Sequence, residues 1–135
     1  MDPATMRERL AFAPVARLAT VGRVATPHLV PCCHVLIGDV VYTAVDDVKP
    51  KASLALRRLE NLRAEPRAAL LVDHYDDDWS TLWWVRVDGS ARLLDGGEER
   101  EHSLDALVEK YPQYARARPP GTVIALDITR WTAWP

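Results

Sequence analysis

Two lysines separated by one proline are the strongest candidate for binding chemistry in the sequence. Lys49, Pro50 and Lys51 precede a stretch rich in Leu, Ala and Arg, for which we predict a helix over residues 52–64 with Ser53 as its N-cap. The free N–H groups at the start of a helix favour an anion, and two ammonium groups would add positive charge there. The pattern therefore suits a phosphate-type anion, and it suits a solvated basic turn equally well.

The charge of the chain is concentrated around this turn. The 135 residues include 14 arginines but only three lysines, and the formal net charge is −2. Residues 49–67 contain six basic and two acidic side chains, a local charge of +4, which leaves −6 on the remainder. A near-neutral chain disfavours nucleic acid as a partner, whereas a basic segment in an acidic protein favours a local anion site.

The remaining candidates for chemistry have spacings that suit structural roles better. Cys32 and Cys33 are adjacent, so on a strand they point to opposite faces; we interpret them as one buried and one solvent-facing thiol. No C-x-x-C or H-E-x-x-H motif occurs, and no metal site is predicted. The acidic run 76–78 is interpreted as a solvated turn, because adjacent carboxylates do not form the facing pair that hydrolysis needs. We therefore assign no catalytic residue.

The elements that position these residues are mostly short strands. We predict a helix from Pro3 to about Pro14, a helix over 98–111, a loop over 112–121, and strands at 15–21, 28–37, 40–45, 68–74, 81–94 and 122–134. Pro31 places the second strand at a sheet edge or kinks it, and Gly89 indicates a bulge. Without βαβ order or a G-x-G-x-x-G motif, a Rossmann sheet is excluded.

The predicted fold is a mainly β (α+β) antiparallel barrel or strongly coiled sheet with peripheral helices, in a single domain over residues 1–135. Trp83 and Trp84 are adjacent in a strand, so one faces outward, and we expect a dimer to bury it. No signal peptide or apolar run of about 20 residues is apparent, and two cysteines are too few for a disulfide scaffold. A cytoplasmic protein with no membrane contact is expected.

Several segments, taken in order, resemble one known family. They are VARLATV (15–21), PHLVP (27–31), GDVVYTAVD (38–46), KPK (49–51), RRLENLRAEPRAALLVDHYDDDW (57–79) and WWVRVDGSA (83–91). Together they resemble the split β-barrel of the pyridoxamine 5′-phosphate oxidase-like superfamily, and more closely its deazaflavin branch, the probable F420-dependent oxidoreductases. The resemblance implies a homodimer with the cofactor in a groove between two barrels.

The resemblance also implies cofactor-binding residues. The flavin-like ring would lie along the second and third strands, and Lys49 and Lys51 would bind the cofactor phosphate. Trp79 would lie over the ring or across the dimer interface. The full set of implied cofactor-binding residues is Val30, Pro31, Thr43, Ala44, Lys49, Lys51, Ser53, Arg57 and Trp79.

The function implied is an F420-dependent reductase that transfers a hydride to a small conjugated or quinone-like organic substrate. The alternatives are an FMN-binding flavin oxidoreductase in the same groove and a non-catalytic F420- or flavin-binding module. The basic residues with which the true oxidases hold their substrate phosphate are not recognisable near the C-terminus, where the sequence reads TRWTAWP. Vitamin B6 oxidation is therefore not expected.

Overall fold

The computed structural model describes residues 1–45 and 52–135, and for residues 52–56 it describes the backbone alone. Within these ranges seven strands form one antiparallel sheet in the order β2-β1-β5-β6-β7-β4-β3. The strands are β1 (Ala16–Thr20), β2 (His28–Cys32), β3 (Val35–Ile37), β4 (Val40–Ala44), β5 (Arg67–His74), β6 (Trp83–Leu94) and β7 (Val123–Trp134). The helices are α1 (Pro3–Phe12), α2 (Ala52–Ala64), α3 (Glu98–Lys110) and α4 (Pro112–Arg116).

The sheet curls into a half-barrel, because its two edge strands follow one another in the sequence. β2 and β3 lie at opposite edges and are joined by two residues, Cys33 and His34. Pro31 lies in β2 and is confirmed as an edge-strand residue, where its missing N–H costs nothing. The single strand predicted over 28–37 is wrong, because the chain leaves the ladder at residues 33–34.

The side chains of α3 explain the break at His34. The His34 N–H donates to Tyr111 Oη at 3.1 Å, and its carbonyl accepts from Lys110 Nζ at 2.8 Å. Lys110 Nζ also donates to the carbonyls of Ala11 and Ala13 at 2.8 and 2.9 Å. The backbone groups that a ladder would satisfy are therefore satisfied by one lysine and one tyrosine, which tie α1 and the β2–β3 junction to α3.

Two hydrophobic clusters lie on the two faces of the sheet. The first fills the inside of the half-barrel and is sealed at one end by Leu59 and Leu62 of α2. The second packs the outer side of β4 and β7 against Leu104 and Leu107 of α3 and Tyr114 of α4. Cys32 contacts the first cluster and Cys33 the second. The opposite orientation of the two thiols is confirmed, but both are partly buried, so the predicted solvent-facing thiol is wrong.

Most helix and strand predictions are confirmed, and the exceptions have local causes. Asp2 caps α1 by accepting from the Thr5 N–H at 2.8 Å. The second helix begins at Ala52, so Ser53 lies inside its first turn and its predicted capping role is wrong. The predicted loop 112–121 contains α4, which starts at Pro112, a residue favoured in the first turn of a helix. No helix in the described ranges is long and apolar enough to span a membrane.

His34 makes the stability of the fold depend on pH. Its side chain is fully buried and its Nε2 lies 2.7 Å from the Leu10 carbonyl; burial lowers the pKa of His34 to about 4. Because the folded pKa lies below the unfolded one, the stability from neutral His34 is complete above pH 6.5 and is lost as the pH falls toward 4. The loss amounts to about 3 kcal/mol.

Urea denaturation at pH 7 and pH 4.5 tests this effect. A His34→Gln variant is expected to lose much less stability between the two pH values than the wild type. His102→Gln is the control, since His102 is exposed on α3 and should leave the wild-type pH dependence unchanged. An identical pH dependence in His34→Gln and wild type would contradict the assignment.

Candidate functional site

Arg57 belongs to a basic cleft formed by α2 and the β1–β2 loop. The cleft has a volume of about 580 Å³ and is lined by Arg23, Arg57 and Arg63, with Glu60 as its acidic member. The ion pairs of the described residues engage other arginines and leave these three without a carboxylate partner in that part of the chain. We call this site the outer basic cleft; it offers three guanidinium groups, against one carboxylate, to an anion.

The outer basic cleft depends on close contact between the β1–β2 loop and α2. Gly22 adopts a φ of +71°, and a Cβ at this position would lie 2.3 Å from Asn61 Oδ1. Asn61 Nδ2 in turn donates to Thr20 Oγ1 at 3.0 Å. These contacts dock the middle of α2 onto the end of β1 and bring Arg23 of the loop beside the helix.

Lys49 and Lys51, the predicted phosphate pair, lie outside the described residues, as does the side chain of Ser53. The segment that contains the lysines connects β4 to the first residue of α2. Given the rise of an α-helix, Arg57 lies about 8 Å farther along the helix axis than Ala52, the first residue of α2. Arg57 of the outer basic cleft is therefore close to the predicted lysine pair in the sequence.

The third lysine has a different role. Lys110 is committed to the three carbonyls described above, and its burial lowers its pKa to about 8. All three of its hydrogen-bonding positions are therefore used for structure. Because lysine is rare in this sequence, each lysine was a candidate for a specific role. The role of Lys110 is to stabilise the backbone junction between β2 and β3.

The predicted ring-binding residues do not share one face of the described chain. Val30 packs toward the inside of the half-barrel, whereas Pro31 points outward and is exposed. Thr43 is 2% exposed, and Ala44 is buried in the second hydrophobic cluster under α3 and α4. Among the described strands β2 pairs only with β1, so its other edge is available to a planar ligand. A free strand edge presents backbone donors and acceptors.

A polar track, of which sequence reasoning identified only Thr43, links β2 to α2 and β4. It comprises His28 and Cys32 on β2, Thr43 on β4 and Arg58 on α2. Three of its atoms are buried without a hydrogen-bond partner in the described structure, namely His28 Nδ1, Thr43 Oγ1 and Arg58 Nε. Since buried polar atoms are normally paired, this end of the barrel is suited to receive a polar ligand.

The electrostatics of the track follow from its burial and its arginines. Burial lowers the pKa of His28, and the charges of Arg57 and Arg58 lower it further. Burial raises the pKa of Cys32, while a contact from Thr43 and the charge of Arg58 oppose that rise. His28 and Cys32 are therefore neutral at pH 7, and Arg58 supplies the positive charge. The signal available in the sequence was the alternation of His28 and Cys32 on one face of β2.

The outer face of the sheet carries an apolar groove of about 650 Å³. We call it the outer sheet groove; its lining residues are Arg17, Ala19, Leu29, Ala69, Leu70, Leu71, Asp73, Tyr75, Trp84 and Arg86. Leu29 and Tyr75 are 68% and 64% exposed. Trp84 faces this groove while Trp83 packs against the inner cluster, which confirms that one of the two tryptophans points outward.

The acidic turn before β6 is confirmed as a structural feature. Asp78 accepts from the Ser80 N–H at 3.0 Å and caps a 3₁₀ turn over Trp79–Thr81. Asp76 accepts from the Asp78 N–H at 2.8 Å and pairs with His74 at 2.9 Å. Trp79 on this turn is 79% exposed, and its predicted role against the ring stays a prediction. No cluster of His, Cys, Asp and Glu able to hold a metal occurs among the described residues.

The curled antiparallel sheet, with joined edge strands and a helix over one end, defines a split β-barrel protein. The chain belongs to the pyridoxamine 5′-phosphate oxidase family, whose model matches residues 3–135. The resemblance recognised in the sequence is thereby confirmed at the level of the superfamily. A search of curated proteins gave no match.

Solved structures share the fold at low sequence identity. A conserved hypothetical protein from Mycobacterium tuberculosis superposes with a TM-score of 0.77 at 21% identity, covering 99% of this chain and 84% of the other. An FAD-binding protein from Mesorhizobium loti gives 0.74 at 19%, covering 98% and 94%. A heme-storage protein from Vibrio cholerae gives 0.69 at 12%, covering 97% and 89%. At these identities the comparison establishes the fold alone.

Proposed function

We propose that this protein is a cytoplasmic, homodimeric F420-dependent reductase that acts on a small conjugated or quinone-like organic substrate. The observation that carries the proposal is the outer basic cleft, whose Arg57 and Arg63 lie on the helix that follows the predicted lysine pair in the sequence. F420 differs from FMN in having an anionic polyglutamate tail beyond its phosphate. Three arginines without carboxylate partners in the described chain exceed what one phosphate needs, and they suit the longer tail.

The cofactor site fits the residues present. Lys49 and Lys51 would hold the phosphate, and Arg23, Arg57 and Arg63 the tail. The free edge of β2 would hold the polar edge of the ring. The three buried polar atoms of the track have no hydrogen-bond partner in the described structure and could bind polar groups of the cofactor. When bound, the deazaflavin supplies hydride transfer. The chain would contribute binding, orientation and exclusion of water, and no side chain is assigned to proton transfer.

Two other functions use the same site. An FMN-dependent oxidoreductase is supported by the family and by the fold shared with an FAD-binding protein. A non-catalytic binding module is supported by the fold shared with a heme-storage protein. A yellow protein as purified would favour FMN. Cofactor binding without turnover of any substrate would favour the binding module.

The proposal is tested by fluorescence titration with oxidised F420, followed by turnover assays with reduced F420 and a panel of quinones and conjugated carbonyl compounds. We expect micromolar binding and oxidation of the reduced cofactor by at least one substrate class. No binding at micromolar F420 would overturn the assignment. FMN added to the purified protein provides the comparison that separates the two cofactors.

We propose that the outer sheet groove is the homodimer interface. It combines exposed apolar residues with the ion pair of Arg17 and Asp73 and with Arg86, whose partner Asp88 is not among the lining residues. A patch that carries both signs of charge can complement a second copy of itself across a two-fold axis. The exposed area around Leu29, Tyr75 and Trp84 would be removed from water in the dimer.

A Leu29→Glu variant is expected to be monomeric at micromolar concentration, because dimerisation would bury its carboxylate in an apolar interface. Light scattering after size exclusion measures the mass. Phe12→Glu is the matched control: Phe12 is 77% exposed on α1 and is not among the residues lining the groove. Equal masses for Leu29→Glu and wild type would exclude this face as the interface.

A further inference from the structure

Arg58 occupies a position that is costly unless it serves a ligand. Its Nε atom is buried and has no hydrogen-bond partner in the described structure, and the described ion pairs do not include its guanidinium group. A partly buried positive charge without a partner lowers stability. The neighbouring Arg57 differs, because it is exposed and lines the outer basic cleft.

The fold places Arg58 inside the mouth of the barrel. Asn61, three residues later on α2, donates to Thr20 Oγ1, and Thr20 pairs directly with His28 across β1 and β2. Residues three apart lie on the same face of a helix, so Arg58 faces β2 beside His28. Leu59 and Leu62 seal the hydrophobic core next to it.

The charge of Arg58 acts on two residues of β2. One is His28, whose Nδ1 is buried and unpartnered in the described chain. The other is Cys32, whose thiol lies beside Thr43; the Thr43 side chain is 2% exposed, and its Oγ1 is also unpartnered there by hydrogen-bond geometry. One permanent cation near an imidazole and a hydroxyl is a donor set for an oxyanion.

We infer that Arg58, together with His28 and Thr43, forms a second anion subsite inside the barrel mouth that takes a compact oxyanion such as phosphate or a carboxylate. It differs from the outer basic cleft in its arginine, because Arg58 has a buried Nε atom, whereas the cleft is lined by Arg23, Arg57 and Arg63. Its existence does not depend on F420 being the cofactor. Its relation to the proposed function is that it would hold an anionic group of either the cofactor or the substrate.

Inorganic phosphate is the probe, and the His28 ring is the reporter. The chain has four histidines, so their Cε1–Hε1 resonances can be assigned by single substitutions. Arg57 and Arg58 are the charges that lower the pKa of His28. We expect phosphate to shift the His28 resonance saturably and to raise its pKa by about one unit, since a bound anion favours the imidazolium.

Arg58→Gln is expected to abolish this response, and Arg63→Gln, at an exposed position of the same helix, to preserve it. Unchanged His34 and His102 resonances would show that Arg58→Gln is folded. The inference is overturned if His28 does not respond to phosphate, if Arg58→Gln responds like the wild type, or if Arg63→Gln removes the response equally. The last result would place the anion in the outer basic cleft.

A second arm identifies the source of the anion. Oxidised F420, shown by fluorescence to saturate the protein, is added before phosphate. Loss of the phosphate response means that the cofactor occupies the subsite with its own anionic group. A preserved response assigns the subsite to a second, anionic molecule, which defines the substrate class. Failure of F420 to bind would count against the proposed function and leave the phosphate result unaffected.

Discussion

Replacing Gly89 with alanine is expected to lower the free energy of unfolding by about 3 kcal/mol or more. A Cβ at this position would lie 2.1 Å from the Asp127 carbonyl oxygen and 3.2 Å from the Ile128 Cα. Both atoms belong to the backbone of β7, so neither can move aside as a side-chain end would. The register of β6 against β7 shifts between Asp88 and Gly89, and this bulge bends the longest strand pair of the barrel.

Urea denaturation at pH 7 measures this effect. Gly96→Ala is the matched control, because no atom lies within 4 Å of a Cβ built there. The control is expected to change stability by less than about 0.5 kcal/mol. Equal stabilities of the two variants would show that β7 can shift to accept a side chain, and the account of the bulge would fail.

The Lys49→Ala/Lys51→Ala double variant is expected to lose F420 affinity by about 100-fold or more. Hydrogen bonds to charged groups contribute about 1.5–3 kcal/mol each, and the variant removes two ammonium groups from the proposed phosphate site. The lost charge also weakens long-range attraction to an anionic cofactor, and this part diminishes with added salt. Fluorescence titration at two salt concentrations separates the contact from the long-range effect.

The control for this variant must remove the same charge from elsewhere. Arg116 on α4 and Arg130 on β7 are both exposed, and Arg116→Ala/Arg130→Ala changes the net charge by the same −2. We expect this control to bind F420 within about threefold of the wild type at physiological salt, where exposed charges farther apart than a Debye length are screened. Equal losses in the two double variants would mean that Lys49 and Lys51 act only through net charge.

The local features of the chain were predictable because their causes are local. The Asp2 cap, the helix from Ala52 to Ala64 and the bulge at Gly89 each depend on a residue type at a fixed offset within one element. The α4 helix was missed because five residues give too short a pattern for a helical period. The interruption at Cys33–His34 was missed because its cause lies on α3, 76 residues away.

The candidate site also has residues that could be predicted from the sequence and residues that could not. Lys49, Lys51 and Arg57 were predicted because a basic cluster before a helix can be recognised from residue order alone, and of the three only Arg57 has a described side chain, which lines the outer basic cleft. Arg58 was not among the predicted site residues, because adjacent arginines on a helix differ only in what they face. His28 was not among them either, whereas the structure places it within electrostatic reach of Arg57 and Arg58 of α2.

By itself the sequence determined most of the helices and strands, their antiparallel class, the interruption of regular strand pairing at Pro31 by an edge or a kink, and membership of a superfamily, since each depends on residue order and periodicity. Only the tertiary structure decided that the two sheet edges are joined at residues 33–34, that Lys110 stabilises this junction, and that Arg58 has a buried Nε while Arg57 lines the outer basic cleft. The physical reason is that burial and hydrogen-bond satisfaction are set by contacts between residues distant in the chain. A one-dimensional pattern shows which side chains share a face, but not what covers that face.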